Sequence, residues 1–337
     1  MKACVLGATG QLGSNLVRAL LAKGDQVRVL VRSVTSSAQA SRHHLALQGV
    51  DVERAEGDLN DGDSLRRACS GMDVVYHCAA YYPEATIPAD IATREALLQT
   101  TTALEAIQQA GVERFVYAST LTTIGFPSVP GKLADESCPF RTQYRNNPYL
   151  IAKAAMEEAV LAAAKAGLPA VVVNPTACFG PYDGKPTSGT QILMVARGQM
   201  PAYVQRPINV IDSRDVAVGM IRAAERGRVG ERYILGNWNT TQKELTALIA
   251  SLAGVRAPLM AVPYEVARFG AKVQDWTFRT VLRKATPVPA FFVEMLQHFQ
   301  QYDCSKAIRE LDYPRSPVDH AIRDALAWFR ANGYLDQ

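Results

Sequence analysis

The chain has 337 residues, of which 48% are hydrophobic and 20% are charged, a composition typical of a folded globular protein and not of a disordered one. Its net charge of +4, without a long run of lysine and arginine, argues against nucleic acid as the main partner but is compatible with small anionic ligands. The six cysteines show no CxxC spacing, which favours a reducing compartment and predicts no metal site. Because the first predicted strand begins at residue 3 and no apolar run is long enough to span a bilayer, we expect a cytoplasmic protein without an integral membrane segment.

Short apolar runs alternate with amphipathic stretches along the first half of the chain. The predicted strands cover residues 3–6, 27–31, 50–55, 73–80, 114–119 and 170–174. The predicted helices cover residues 15–23, 38–48, 61–69, 89–110 and 148–166. Near-continuous apolar strands that alternate with helices are typical of a parallel sheet covered on both faces. The sequence therefore predicts an α/β fold with a Rossmann-type, doubly wound parallel sheet.

This alternation stops at residue 175. Residues 175–206 are rich in proline and glycine and contain one predicted helix, 191–198, which we interpret as an insertion above the sheet. Three segments, 209–211, 216–226 and 232–235, are expected to return to the large sheet, and the remainder ends in a helix at 318–332. We predict an NAD(P)-binding domain of residues 1–174 plus 207–236 and a smaller, mostly helical substrate-binding lid domain of residues 175–206 plus 237–337.

The sequence GATGQLG at residues 7–13 joins the first predicted strand to the first predicted helix. Glycine suits such a turn for three reasons: the tight bend, the close approach of the backbone to a phosphate, and the packing of helix on strand. The helix that starts there directs unpaired N–H groups and a positive dipole at the space above the turn, which favours a pyrophosphate. The predicted cofactor contacts in this turn are Gly7, Thr9, Gly10, Gln11, Leu12 and Gly13.

Arg32 follows the second predicted strand, about twenty residues after the glycine turn. An NAD enzyme usually carries an acidic residue at this point for the ribose hydroxyls, whereas a cation suits the 2′-phosphate of NADP. The sequence therefore predicts NADP as the cofactor, with NAD as the alternative if Arg32 is only a solvated surface residue.

Tyr149 and Lys153 lie four residues apart on a predicted helix, so both side chains share one helical face. A lysine ammonium near a tyrosine hydroxyl stabilises the phenolate and lowers the pKa of the tyrosine, which makes it a usable acid or base near neutral pH. Ser119 and Thr120 end the fifth predicted strand, at the edge where open parallel sheets bind their ligands. A hydroxyl there can hydrogen-bond the oxygen of a substrate carbonyl or alcohol.

Six motifs together resemble the extended short-chain dehydrogenases/reductases. They are GATGQLG at 7–13, GDL at 57–59, HCAA at 77–80, ST at 119–120, YLIAK at 149–153 and NPTACFGP at 174–181. The segments GLPAVVVNP, GQMPAYV, GERYILG and AWFRANGYL look most like the hopanoid-associated sugar epimerases, and NPT followed by GP also resembles the dihydroflavonol reductases. The resemblance runs along essentially the whole chain.

The resemblance implies roles for individual residues. Tyr149 becomes the acid/base, Lys153 its electrostatic partner and a ribose ligand, and Thr120, rather than Ser119, the catalytic hydroxyl. Further cofactor contacts implied by the resemblance are Asp58, Leu59, Ala79, Ala80, Pro175 and Thr176. Substrate contacts are expected from Tyr81, Thr120, Asn174, Phe179 and Arg206. Such enzymes transfer a hydride between the nicotinamide and a carbon whose oxygen the tyrosine protonates or deprotonates; epimerases return the hydride to the other face, and reductases release the oxidised cofactor.

Some positions depart from the family pattern. Residues 96–102 keep Thr100 of the usual NVxGTxN motif but lose both asparagines, and residues 174, 177 and 207 are not those that sugar-nucleotide enzymes usually carry. We expect a relative of the nucleoside-diphosphate-sugar epimerases and dehydratases that acts on a small molecule, with a sugar nucleotide as one candidate. The alternatives are an NADPH-dependent carbonyl or aldehyde reductase and a non-catalytic dinucleotide-binding regulator; intact Thr120, Tyr149 and Lys153 argue against the regulator. The resemblance also allows a homodimer.

A last pattern concerns residues 266–283, where a helical apolar stripe runs beside a basic one. The stripes are Val266, Phe269, Val273 and Trp276 and, beside them, Arg268, Lys272, Arg279 and Arg283. We expect this helix to pack on its own lid with the cations in water. The alternatives are contact with an anionic membrane surface and contact with a substrate phosphate. His77, at a strand end, is expected to be structural.

Overall fold

The computed structural model describes residues 1–32, 45–79, 81, 87–140, 147–282, 293–294, 296–298 and 300–336. Most of the predicted helix 38–48, together with Ala80 and Arg283, lies outside these residues. Within them, no helix has the length and apolarity to cross a bilayer.

The strands follow the predicted apolar runs, and several further short strands appear after residue 175. They are β1 (Lys2–Leu6), β2 (Gln26–Val31), β3 (Glu53–Glu56), β4 (Val74–His77), β5 (Arg114–Ala118), β6 (Ala170–Pro175), β7 (Ala177–Phe179), β8 (Ala202–Val204), β9 (Pro207–Asp212), β10 (Arg232–Leu235), β11 (Trp238–Thr241) and β12 (Met260–Val262).

The helices of the described ranges agree in position with most of those predicted. They are α1 (Gln11–Ala22), α2 (Gly62–Cys69), α3 (Ala89–Ala110), α4 (Pro148–Lys165), α5 (Gly189–Ala196), α6 (Ser213–Arg226), α7 (Gln242–Ala253), α8 (Tyr264–Trp276), α9 (Ser305–Leu311) and α10 (Val318–Ala331). A short 3-10 turn at Leu121–Thr123 follows β5.

Seven strands form one sheet in the order β10-β6-β5-β4-β1-β2-β3, and every neighbouring pair is parallel. Helices α1 and α6 pack on one face and α2, α3 and α4 on the other, so the apolar side chains form two layers of core. This arrangement confirms the predicted doubly wound Rossmann fold. The strand order reverses beside β1, and β1 and β4 therefore open the crevice in which such sheets bind ligands.

The smaller sheets differ from the prediction. β9 lies between β7 and β11 in a three-stranded sheet, and β8 pairs with β12 in a second one. The expectation that residues 209–211 join the large sheet is wrong, because β10 already occupies the edge beside β6.

The smaller sheets share a core with α5, α7 and α10. Helix α9, which the sequence analysis assigned to the lid, instead contributes Ala307 and Leu311 to the core beneath the large sheet. The exact division of the chain into two domains stays a prediction.

Candidate active site

The three glycines of the first turn occupy three different environments. Gly7 has a φ of +85°, and a side chain on it would collide with the backbone of Ala79 after β4. A side chain on Gly13 would collide with the carbonyl of Gly7, so that glycine permits close packing of α1 on the turn. A methyl group on Gly10 would meet only the Gly7 oxygen, at 3.5 Å. Two glycines therefore serve the fold, and the third keeps the surface of the turn open.

Helix α1 begins directly behind this open surface. Gly10 is the N-cap residue, no side chain caps the helix, and its first turn carries no acidic residue. The first N–H groups of a helix have no acceptor within the helix, and together with the helix dipole they attract an anion. The N–H of Gly10 donates to the carbonyl of Gly7 at 3.1 Å, so the turn fits a dinucleotide pyrophosphate held by backbone N–H groups of residues 11–13.

Two polar side chains on α1 join the turn to the loop after β7. The amide nitrogen of Gln11 donates to the carbonyl of Gly180 at 2.9 Å. Asn15, which is buried, donates to the carbonyl of Pro181 and to the hydroxyl of Ser213, both at 3.2 Å. The Gln11 side chain is therefore engaged within the protein, and its predicted cofactor contact falls to its backbone.

The predicted cofactor contacts Arg32, Asp58 and Leu59 lie just after the ends of β2 and β3. Arg32 is exposed directly after β2, and Gly57 donates from its N–H to the carbonyl of Val31, which holds the two strand ends together. Asp58 accepts from the N–H and side-chain amide of Asn60 at 3.0 and 2.7 Å. An exposed guanidinium and a carboxylate thus flank the same edge of the sheet.

Helix α4 presents the predicted acid/base pair. The carboxamide oxygen of Asn147 caps the helix by accepting from the N–H of Tyr149 and of Leu150. Tyr149 is 9% exposed and Lys153 2% exposed, and the Lys153 nitrogen lies 5.9 Å from the centre of the Tyr149 ring. Burial lowers the pKa of Lys153 to about 8, and the nearby Glu157 carboxylate opposes that shift.

Glu157, one further turn along α4, joins the described candidate site although the sequence analysis did not name it. Its carboxyl group, on a residue only 3% exposed, accepts from the hydroxyls of Ser119 and Thr123, the latter at 2.6 Å. It also accepts from the amide of Asn174 at 2.7 Å and from Arg232 at 3.0 Å. The spacing of Tyr149, Lys153 and Glu157 at i, i+4 and i+8 is the signal that could have found it, because such residues share a helical face.

Two predicted substrate contacts are buried side chains. Asn174 has no exposed surface; its amide nitrogen donates to Glu157, and its carboxamide oxygen has no hydrogen-bond partner among the described residues, so its contact with a substrate stays a prediction. Phe179 is 1% exposed and lies in the core shared by α5, α7 and α10. Tyr81 is half-buried, and its hydroxyl donates to Glu95 at 2.5 Å.

The hydroxyl of Ser119 is engaged with Glu157, whereas Thr120 is half-buried at the end of β5 and caps the turn that follows. On the neighbouring strand, Pro175 ends β6 and Thr176 comes next. The Thr176 hydroxyl is buried without a hydrogen-bond partner among the described residues. A buried polar atom of this kind is costly unless a ligand satisfies it, which fits a nicotinamide amide at this place.

His77 ends β4 and is buried against the edge of the Tyr117 ring, with the ring centres 5.5 Å apart. Burial, together with the charge of Lys153, lowers the pKa of His77 to about 4. A neutral, packed imidazole agrees with the expected structural role.

The predicted phosphate ligands lie around the start of α8. The Arg206 guanidinium stacks over the Tyr264 ring at 5.1 Å, and the Tyr264 hydroxyl is buried without a partner in the described part of the chain. Arg268 pairs with Glu265 at 3.4 Å. Lys272 lies 4.0 Å from Glu294. Arg206 is therefore the predicted phosphate ligand least offset by nearby carboxylates.

Comparisons with known proteins agree with this geometry. The family model described as "NAD dependent epimerase/dehydratase family" matches residues 3–236. A protein of Synechocystis sp. provisionally named dihydroflavonol 4-reductase is 38% identical over 98% of this chain and 95% of its own length. Sterol demethylase protein B of Methylococcus capsulatus is 32% identical over 99% and 100%.

Among solved structures, a nucleoside-diphosphate-sugar epimerase from Pseudomonas aeruginosa superposes with a TM-score of 0.80 at 30% identity, covering 100% of this chain and 99% of that one. The glycine turn, the seven-stranded sheet and these matches lead to one assignment. The chain belongs to the NAD-dependent epimerase/dehydratase family and is an extended short-chain dehydrogenase/reductase enzyme that uses a nicotinamide dinucleotide.

Proposed function

We propose that the protein is an NADPH-dependent reductase that acts on a carbonyl group of an uncharged small molecule. The observation that carries this proposal is that, among the described cations predicted to contact phosphate, only Arg206 lies beside an aromatic ring and not beside a carboxylate. A sugar nucleotide brings two phosphates that need cationic or N–H partners. Of the three predicted cations, Arg268 and Lys272 lie beside carboxylates. Arg206 would therefore have to bind both phosphates without a second cation from this set.

The roles of the residues follow from their positions. Tyr149 donates its proton to the carbonyl oxygen as the bond to carbon is reduced, and the Lys153 ammonium lowers the pKa of the phenol for that step. The Thr120 hydroxyl donates a hydrogen bond to the same oxygen. Pro175 and Thr176 would hold the nicotinamide, which when bound would supply the hydride for the carbonyl carbon. Glu157 acts through other residues, because it holds Ser119, Thr123 and Asn174 behind the reacting groups.

Two further observations support the proposal. The exposed cation of Arg32 at the end of β2 suits the 2′-phosphate of NADP. The similar proteins of Synechocystis and Stigmatella are named, the first provisionally, a dihydroflavonol 4-reductase and a ketoreductase of a farnesyl-substituted dihydroquinoline oxide, so both names describe carbonyl reductases. The free thiols of the cysteines support the proposed cytoplasmic location, and the homodimer stays a prediction.

A second candidate is epimerisation of a sugar nucleotide. The similar Pseudomonas aeruginosa structure carries that name, and Arg206 with the unpartnered Tyr264 hydroxyl offers donors for one phosphate. In that case the cofactor is not consumed.

Two measurements on the purified protein separate the candidates. The reductase is expected to oxidise NADPH stoichiometrically with aromatic or alicyclic aldehydes and ketones, and a thermal-shift assay is expected to show no response to UDP. A rise in melting temperature with UDP that disappears in Arg206→Ala, without net NADPH oxidation by any carbonyl compound, would overturn the reductase in favour of the epimerase.

A further inference from the structure

Helix α8 has its apolar side turned towards water. Val266, Phe269, Val273 and Trp276 are 58%, 72%, 47% and 62% exposed, and they follow one another at steps of three and four residues. The buried side of the helix carries Ala271. A surface helix of a globular protein normally turns its apolar stripe to the core, so this orientation is the reverse of the usual one. The expectation that the stripe packs on its own lid is therefore wrong.

The exposed stripe is long enough to form an interaction surface. Four side chains over ten residues span about 15 Å along the helix, and all four are branched or aromatic. Isolated exposed apolar residues are normal, but an aligned row on one helix marks an interaction surface. Immediately before the helix, Leu259 and Met260 are also exposed, at 93% and 61%.

The net charge of the segment that carries the stripe favours an anionic partner. Residues 256–284 contain six lysines and arginines but only two acidic residues, a net charge of +4 that equals the net charge of the whole chain. The rest of the protein is thus neutral overall. On α8 itself Arg268 pairs with Glu265 at 3.4 Å and Lys272 lies 4.0 Å from Glu294, so the excess positive charge of the segment comes from Arg256, which precedes the helix in sequence, and from Arg279, Arg283 and Lys284, which follow it. Basic residues beside exposed tryptophan, phenylalanine and valine are typical of helices that lie in the headgroup region of an anionic bilayer.

We propose that α8 docks the protein on the surface of an anionic lipid bilayer, with Phe269 and Trp276 inserted between the headgroups. A second copy of the chain fits less well, because a two-fold contact through this stripe would bring the same net-positive segments together. Arg206 stacks on Tyr264, the first residue of α8, so docking places the predicted substrate segment next to the headgroups. The proposal rests on this surface and is independent of the reaction catalysed.

Flotation of the full chain with vesicles tests the proposal. Vesicles of phosphatidylcholine with about one third phosphatidylglycerol are expected to carry the protein, and vesicles of phosphatidylcholine alone to bind it at least tenfold more weakly. Phe269→Ser with Trp276→Ser should reduce binding tenfold or more, and Lys272→Glu severalfold. Leu98→Ser serves as the control, because Leu98 is 62% exposed on α3, and it should bind like the unchanged protein.

Further measurements test whether the variants are folded and whether a second copy of the chain, and not a bilayer, covers the stripe. NADPH binding and melting temperature should be the same in all variants, because the substituted side chains are exposed. Failure of the unchanged protein to float with anionic vesicles, or equal flotation of the Phe269→Ser, Trp276→Ser variant, overturns the proposal. So does a dimer in analytical ultracentrifugation that only this variant loses. Carbonyl reduction in solution is measured separately, so either proposal can fail alone.

Discussion

The regions beside the large sheet and beside the smaller sheets differ in which groups lack a partner within the described part of the protein: polar groups in the first, apolar side chains in the second. At the carboxyl edge of the large sheet, polar groups are left open: α1 has no capping side chain, and the Thr176 hydroxyl has no partner among the described residues. Beside the smaller sheets, the cations Arg268 and Lys272 lie near carboxylates while Phe269 and Trp276 are exposed. The first region is suited to a polar ligand, and the second, by our proposal, to the surface of an anionic lipid bilayer. Catalytic turnover and vesicle binding should therefore be affected by different substitutions.

The most severe test of this separation is Tyr149→Phe. Removing the phenol hydroxyl removes the proposed acid/base, so turnover should fall roughly 100-fold or more, the usual range for general acid-base catalysis. Cofactor affinity, measured by calorimetric titration, should stay nearly unchanged, and so should vesicle binding. Tyr334→Phe is the control, because that hydroxyl donates to the carbonyl of Gly184 and has no predicted role at the site, and it should change turnover little. Near-normal turnover of Tyr149→Phe would remove the proposed mechanism.

Glu157→Gln addresses the buried network behind the reacting groups. The change leaves Arg232 without its carboxylate partner, which should lower the free energy of unfolding by about 3 kcal/mol. Denaturant unfolding checks this value, with exposed Glu158→Gln as the matched control.

The same variant has a second readout that a purely structural role would not move. As the pH rises through the pKa of Lys153, about 8, the ammonium is lost and turnover should fall. Glu157 raises that pKa, so its removal should move the fall to lower pH. An unchanged pH profile would limit Glu157 to stabilising the fold.

The glycine turn permits a paired test of fold against ligand. Gly13→Ala forces a methyl group into the Gly7 carbonyl and should destabilise the protein by about 2 kcal/mol. Gly10→Ala places its methyl in open space and should cost less than about 1 kcal/mol of stability, yet weaken NADP binding roughly tenfold, or 1.4 kcal/mol. Equal loss of stability in both variants contradicts the distinction between these glycines.

The smallest expected effect is that of Arg32→Ala. Loss of one exposed cation should weaken NADP binding by about 1 kcal/mol, roughly fivefold, and leave NAD binding unchanged. Calorimetry with both dinucleotides measures the difference, and Arg54→Ala on β3 is the control because Arg54 is exposed on the neighbouring strand. If Arg32→Ala keeps the same ratio of NADP to NAD affinity, residues other than Arg32 determine the cofactor.

The centre of the large sheet could be predicted because its strands are buried on both faces. Runs such as Val74–Tyr76 and Ala170–Val173 are apolar throughout, and each is followed or preceded by an amphipathic helix. The smaller sheets could not be predicted in this way. β7, β8 and β12 have three residues each, and their partners lie about thirty to sixty residues away, so local periodicity carries no signal of the pairing.

The site shows the same limit. The spacing of Tyr149 and Lys153 indicated one helical face, and the structure places both there. Which partner Asn174 meets depends on the approach of three separate segments, and the structure gives its amide nitrogen Glu157, a residue that the sequence analysis did not name. For α8, the pattern predicted an amphipathic helix correctly. The neighbour of its apolar stripe is a tertiary property, which explains why the stripe was expected to be covered.

The two amide bridges from α1 to the loop after β7 have a thermodynamic consequence. Gln11 and Asn15 bind the carbonyls of Gly180 and Pro181, so the helix that faces the pyrophosphate also fixes the segment leading towards α5. Any change that the cofactor makes in the position of α1 is shared by that segment. Coupling between two sites is reciprocal, so if the cofactor raises the affinity for a substrate by some factor, the substrate raises the affinity for the cofactor by the same factor. The joined helix and loop are a direct physical connection through which such coupling can act.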